Sequence, residues 1–382
     1  MIKFCLLLLL LISGTCTAAD DPLQLKQKGV LLRLQGDYAG AIGIRDQLVE
    51  RYPSSAIGYV FSLNTLVSQL AWDESVTRYD AQIRADAESA FDICEPAMIR
   101  NPSDYQGYYD CGQAHFAMSY LSALRGRYYR AGRHVNLTIK LLEKTLELNP
   151  ELVDAKMHLG ICYYRADNLP VYLRAVSWFV WFIPQGNSSK SLPYLEQVIA
   201  SGDLFRETAK YIYADILTEQ GLEGIREATA IIEKLTIAYP GNRRFRMRYI
   251  TLLSRQGLSE ETIIAGNEFL RDSKQFDFNL FDINTVRFWI TRAHMSLNNF
   301  KEAQDTFKII NDQLNDGSIP VSCQFLLTKA QLLDLAGQRE EAKSVYLGIL
   351  EKDVSPECSE DINMAAERGL SEPYTGTTFI PG

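Results

Sequence analysis

GDYAGAIGIRDQLVERYP, Gly36 to Pro53, decides the fold. Gly36 reads as the end of one helix. Tyr38 and Ala41 open the next, Leu48 continues its apolar face, and Pro53 stops it. Gly29 falls upstream, where two helices would have to cross closely. The period is helical, and no strand-like alternation appears anywhere in the chain.

The same frame returns along the sequence. LELNPELVDAKMHLGICYY carries Pro150, Leu159, Gly160 and Tyr163; EATAIIEKLTIAYP carries Ala228, Ile232, Leu235 and Pro240. FRMRYITLLSRQGLSEETI supplies Tyr249, Leu253 and Gly257, and ITRAHMSLNNFKEAQDTFKII supplies Phe300, Ala303, Phe307 and Ile310. LLTKAQLLDLAGQREEAKSVYLGIL adds Ala330, Gly337, Ala342, Tyr346 and Ile349. This spacing of small and large residues resembles the tetratricopeptide repeat, a helix-turn-helix unit of about 34 residues. Small residues let paired helices approach within about 8–10 Å, and no single hairpin buries its apolar face alone. The resemblance implies an all-α fold, a right-handed superhelical array of antiparallel helical hairpins.

Two stretches depart from the frame. Between Ser54 and Pro150 the helices are elongated, and SDYQGYYDCGQAHFAMSYLSALRGRYYRAG (Ser103–Gly132) reads as one long first helix. After the Gly160 helix, the expected partner is replaced by RADNLPVYLRAVSWFVWFIPQGNSSKSLPYLEQVIASGDL. That shape is similar to a feature of exported bacterial repeat proteins, and distantly to tetratricopeptide-repeat-39-type proteins. Its aromatic stretch, Val171–Ile183, includes Trp178, Phe179, Trp181 and Phe182 between Pro170 and Pro184. As helix it spans about 20 Å, short of the ~30 Å hydrocarbon core of a bilayer. Its polar edge is narrow, so it is expected to be an inserted core helix, with a hydrophobic docking face as the alternative. The resulting division is a signal peptide over 1–19, elongated repeats over 20–164, the aromatic insert and connector over 165–203, further repeats over 204–356, and a capping helix and tail over 357–382.

MIKFCLLLLLLISGTCTAADD opens the chain with Lys3, a short apolar run and small residues at Thr17-Ala18-Ala19. Cleavage is expected after Ala19, which makes the protein exported, to a bacterial periplasm. Retention as an uncleaved anchor, a lipid anchor on Cys16 and secretion are the alternatives. The formal charge is −8 among 382 residues, so a global basic footprint for nucleic acid is absent. Removing Cys5 and Cys16 leaves five cysteines, an odd number. Cys94 and Cys111 flank the turn RNPSDY and would come level on antiparallel helices, so a disulfide is predicted there. Cys323 and Cys358 bracket the last repeat and form a second, looser candidate pair.

The sequence contains no HExxH, GxSxG, P-loop or CxxC motif. Asp154, His158 and Cys162 share one helix face, but Asp154 and Cys162 are about 12 Å apart along the axis, too far for one tetrahedral metal. They are read as structural. Neither a metal nor a cofactor is expected. The sequons at Asn136 and Asn187 are expected to matter only in a eukaryotic secretory path. In tetratricopeptide-repeat proteins the first helix of each hairpin lines a concave groove. The resemblance therefore points Tyr109, Tyr164, Arg165, Arg244, Met247, Arg255, Phe288, Arg292 and Met295 toward such a groove. Its arginines suit an acidic or C-terminal peptide, although they could equally pair with neighbouring Asp and Glu. The lysine/asparagine pattern of the family's carboxylate-clamp members is missing. The function implied is non-enzymatic: a scaffold or adaptor in envelope assembly or maintenance. The alternatives are membrane association through Val171–Ile183 and an accessory enzyme built on the His158/Cys162 face.

Overall fold

The computed structural model describes residues 21–72, 74, 76–168, 187–313, 322–351 and 358–376. The leader, including Cys16, and the aromatic helix with Trp178, Phe179, Trp181 and Phe182 lie outside the described residues. Among the described residues there are seventeen helices and no strand. They run α1 (Pro22–Leu34), α2 (Tyr38–Arg51), α3 (Ile57–Leu70), α4 (Asp80–Arg100), α5 (Tyr105–Leu124) and α6 (Tyr128–Leu148). Next come α7 (Ala155–Asp167), α8 (Ser188–Ser201), α9 (Arg206–Leu217), α10 (Gly221–Ala238), α11 (Arg243–Arg255) and α12 (Ser259–Asp272). The chain continues with α13 (Leu280–Ser296), α14 (Phe300–Asn311), α15 (Cys323–Leu335), α16 (Arg339–Leu350) and α17 (Glu360–Ser371). Consecutive helices pair as hairpins from α1/α2 to α15/α16, and α17 packs on the last of them. The fold is an all-α solenoid of helical hairpins.

One turn recurs inside these hairpins. The first helix ends in a left-handed residue, Gly36, Gly126, Gly257, Asn298 or Gly337. The next amide donates back to a carbonyl five residues earlier: Asp37 N to Leu32 O at 2.9 Å, Arg127 N to Ser122 O at 2.8 Å, Gln338 N to Leu333 O at 2.9 Å. This closes the helix by satisfying its last carbonyls. At Gly126 it also corrects the long helix expected over Ser103–Gly132, which is two helices, α5 and α6. The elongation itself is present, with α4, α5 and α6 at 21, 20 and 21 residues.

The frame residues are the core. Ala41, Leu48, Ala228, Ile232, Ala303, Ile310, Ala342, Tyr346 and Ile349 are all buried. Gly160 lies against Leu195 and Ser191 of α8, whose Ser191 Oγ donates to Gly160 O at 2.7 Å. The partner of α7 is therefore the LPYLEQVIAS helix, reached across the aromatic insert. Disulfides join Cys94 to Cys111 and Cys323 to Cys358, with Cα–Cα distances of 5.7 and 5.4 Å. Cys162 is a buried free thiol.

The array also closes on itself. Asn242 Nδ2, at the start of α11, donates to Leu34 O across 208 residues, at 2.9 Å. Leu34 and Val30 of α1 pack with Tyr211, Leu217 and Phe245. Trp72, just after α3, packs in the core of Met247, Phe278 and Val286. Among the described residues, α1 and the segment after α3 thus meet α9, α11 and α13 across the array.

Candidate functional site

The Asp154, His158 and Cys162 side chains diverge into three environments. Asp154 accepts from the amides of Leu204 and Phe205, at 2.9 and 3.3 Å, and so ties α7 to the start of α9. His158 lies edge-on to Phe116 and Phe205, with Nε2 3.2 Å from Asn64 Oδ1. Burial and the charge of Arg33 push the imidazole down to about 3, so the ring is neutral. Cys162 sits among Tyr109, Ile139 and Leu142, and burial pushes its thiol up to about 12. A thiol so held is a poor nucleophile. Among the described residues, no group of three or more His, Cys, Asp or Glu side chains is placed to hold a metal ion.

The nine residues assigned to a concave groove separate into two sets. Tyr109, Met247, Phe288, Arg292 and Met295 are buried in the cores between hairpins rather than lining an open groove. Arg244 is enclosed as well. Its guanidinium donates to Ser68 O and to Gln69 O, the latter at 3.2 Å, and lies over the rings of Tyr38 and Trp72. These carbonyls belong to the C-terminal turn of α3, which carries the negative end of the dipole, and Gln69 O also accepts from the amide of Trp72 at 3.3 Å. The physical reason for the difference is packing by neighbouring helices: Phe288 and Met295 are covered by α14 and α15, Tyr109 by α6 and α7, and Met247 by α12 and α13, while Arg244 meets α2 and the end of α3.

Tyr164, Arg165 and Arg255 form the other set and come together around the C-terminal end of α9. Arg165 reaches Glu219 at 3.4 Å and Asp215 at 3.8 Å, and stacks on Tyr164. Tyr164 Oη donates to Glu219, and Arg255 reaches Thr218 O at 3.4 Å. Arg165 and Arg255 are exposed. The pairing of groove arginines with neighbouring acids holds for Arg165.

A cavity that no reading of the sequence singled out lies elsewhere, along α4, α5 and α6. It measures about 830 Å³, within the usual size of ligand sites. Arg84, Arg125, Arg127, Arg130 and Arg133 stand at one end, and Met98, Ile99 and Leu141 at the other. The available signal was the stripe Arg127, Arg130, His134, Leu137, Leu141 at helical spacing. That stripe predicts an amphipathic face, but not that α4 and α5 would complete a cavity over it. The sequon at Asn136 belongs to the same helix, where its Thr138 is buried and donates to His134 O.

A family model described as tetratricopeptide repeat matches residues 27–55, which cover most of α1, all of α2 and the turn after it. No curated protein matches the chain. Among solved structures, TTC0263, a thermophilic TPR protein of Thermus thermophilus, is 17% identical with a TM-score of 0.37, over 61% of this chain and 99% of that one. A human IFIT1 dimer with m7Gppp-AAAA is 9% identical with a TM-score of 0.38, over 90% and 79%. The P58(IPK) TPR domain is 12% identical with a TM-score of 0.22, over 92% and 98%. Such values say nothing about a shared ligand. The family model covers one repeat, and the other hairpins that reuse its closing turn extend the same helix-turn-helix pattern along the described residues.

Proposed function

We propose that this chain is an exported, non-enzymatic scaffold of the bacterial envelope that binds an acidic segment of a partner protein at Tyr164, Arg165 and Arg255. The observation that carries the reading is that these three side chains remain accessible, on a preformed helical array, while the rest of the groove set is enclosed by packing. Exposed ion pairs such as Arg165–Glu219 contribute roughly 0–1 kcal/mol. A partner carboxylate can therefore replace Glu219 at little cost, and a planar guanidinium holds it in two parallel hydrogen bonds. Tyr164 adds a rigid aromatic surface beside it. The leader supports export, and the inert setting of Cys162 and His158 supports a non-enzymatic role.

Crosslinking and affinity purification from the source bacterium tests this. A protein partner captured by the wild type and lost in R165E/R255E is expected, with the mature chain beginning at Asp20. A bound small molecule without any protein partner, or equal capture by the variant, would count against it.

A further inference from the structure

The cavity on α4, α5 and α6 has a direction. These helices run antiparallel, so the start of α4, the end of α5 and the start of α6 lie at one end. Arg84 and Ile99 are separated along α4 by roughly 22 Å at 1.5 Å per residue. Cations therefore collect at one end of a long trough and apolar side chains at the other.

The charge at the cationic end is only partly balanced from within the chain, where a single carboxylate, Asp80, feels Arg125, Arg84 and Arg127. Arg125 is spoken for: it bonds Asp80 at 2.9 Å and the carbonyls of Glu74 and Val76. Arg84 reaches the same Asp80 only at 4.0 Å. Arg127, Arg130 and Arg133 have no ion pair or hydrogen-bonded partner among the described residues. Arg127 is also the N-cap of α6 and offers that helix no side-chain cap, so the first-turn amides add to the positive field. Three free arginines at one spot, in a chain of net charge −8, call for an anion.

The rest of the trough calls for something without hydrogen-bonding groups. Its middle is the pair His115 and His134, whose Nδ1 atoms are 2.9 Å apart and which burial keeps neutral. Beyond it Leu137, Leu141, Met98 and Ile99 line the walls. Ile99 is 81% exposed, a large apolar side chain left to water. A peptide laid there would bury amides and carbonyls against these walls without partners, which is costly. An acyl chain has no such groups. Glu95 at the apolar end disfavours an anion there and so fixes the orientation.

We propose that this trough binds a single-chain anionic amphiphile, of the class of long-chain carboxylates and monoacyl phosphates, with its head among Arg127, Arg130 and Arg133 and its chain along Leu137, Met98 and Ile99. Calorimetry on the full mature chain tests this, using sodium palmitate below its aggregation concentration, hexadecyl phosphate, hexadecyltrimethylammonium and acetate as probes. At least one long-chain anion is expected to bind stoichiometrically, and the tighter of palmitate and hexadecyl phosphate identifies the head. Acetate should not bind, and the cation should bind at least about tenfold more weakly. R130E/R133E should weaken the anion by at least about tenfold, with helix content unchanged by circular dichroism. Wild-type affinity should also fall with added salt, a readout that needs no variant. Equal binding of cation and anion, anion binding indifferent to both salt and R130E/R133E, or displacement of palmitate by a short acidic peptide would overturn the proposal. So would the absence of any binding by either anion.

Discussion

A Cβ built on Gly29 would stand 2.3 Å from Phe61 Cζ and 3.0 Å from Ile44 Cγ2, whereas one on Gly43 meets nothing within 4 Å. Both are helical glycines, so both lose backbone entropy on folding relative to alanine. The two substitutions should therefore differ in sign. Gly29→Ala is expected to lower stability by about 1–3 kcal/mol through overpacking. Gly43→Ala is expected to raise it by about 0.5–1 kcal/mol. Urea unfolding of the two variants decides, and a loss in both would show that Gly43 has a packing role after all. His158 gives a second prediction. Its folded pKa is depressed to about 3, against about 6.5 unfolded. A base depressed in this way contributes stability that is full above pH 6.5 and lost as pH falls, because only the unfolded chain takes up the proton. At pH 5 about 2 kcal/mol of that contribution is gone. Asp110 acts in the opposite sense: burial raises it to about 7, so acidification favours the folded form there. The comparison of wild type with His158→Gln isolates the histidine: the variant should lose less stability between pH 7 and pH 5. Identical slopes would show that His158 titrates alike in both states.

At the scale of helices, α4 and α5 are held by the Cys94–Cys111 bond, with a sequence separation of 17. A loop of that length restricts the unfolded chain by about 3 kcal/mol. C94A/C111A should therefore lower the unfolding free energy of the oxidised protein by about that amount. An unchanged denaturation midpoint in the variant would mean that the bond constrains nothing. This pair was legible because a turn between antiparallel helices makes residues level by spacing alone. The break at Gly126 was legible too, since LRGRY carries the same left-handed glycine as LQGDY and LAGQR. It was overridden by the run of apolar and aromatic residues on both sides of it. The arginine-to-leucine face of α6 could be written down from spacing. Its ligand trough could not, because the walls come from α4 and α5 and exist only once three helices pack.

At the scale of the molecule, the hairpin array was plain in the sequence while its closure was not. Helical spacing reports which residues face a neighbouring helix, and says nothing about how tightly the superhelix winds. The closure rests on a few groups that join distant hairpins: Asn242 to Leu34 O, His158 to Asn64, and Arg244 to the end of α3. Arg244 carries the largest part. It donates to carbonyls in the last turn of α3, and the rings of Tyr38 and Trp72 hold its charge between them. Arg244→Ala removes these bonds and leaves a gap in a region already buried, at a cost of about 3 kcal/mol. If the inner helices form one closed unit, the loss will not stay on α11. Native-state hydrogen exchange should show amides of α1, α3 and α11 losing protection together, while α15 to α17, remote from the closure, keep theirs until global unfolding. Loss confined to α11 would mean that the hairpins stack only with their sequence neighbours, and that the inner face opens as the simple repeat frame implies.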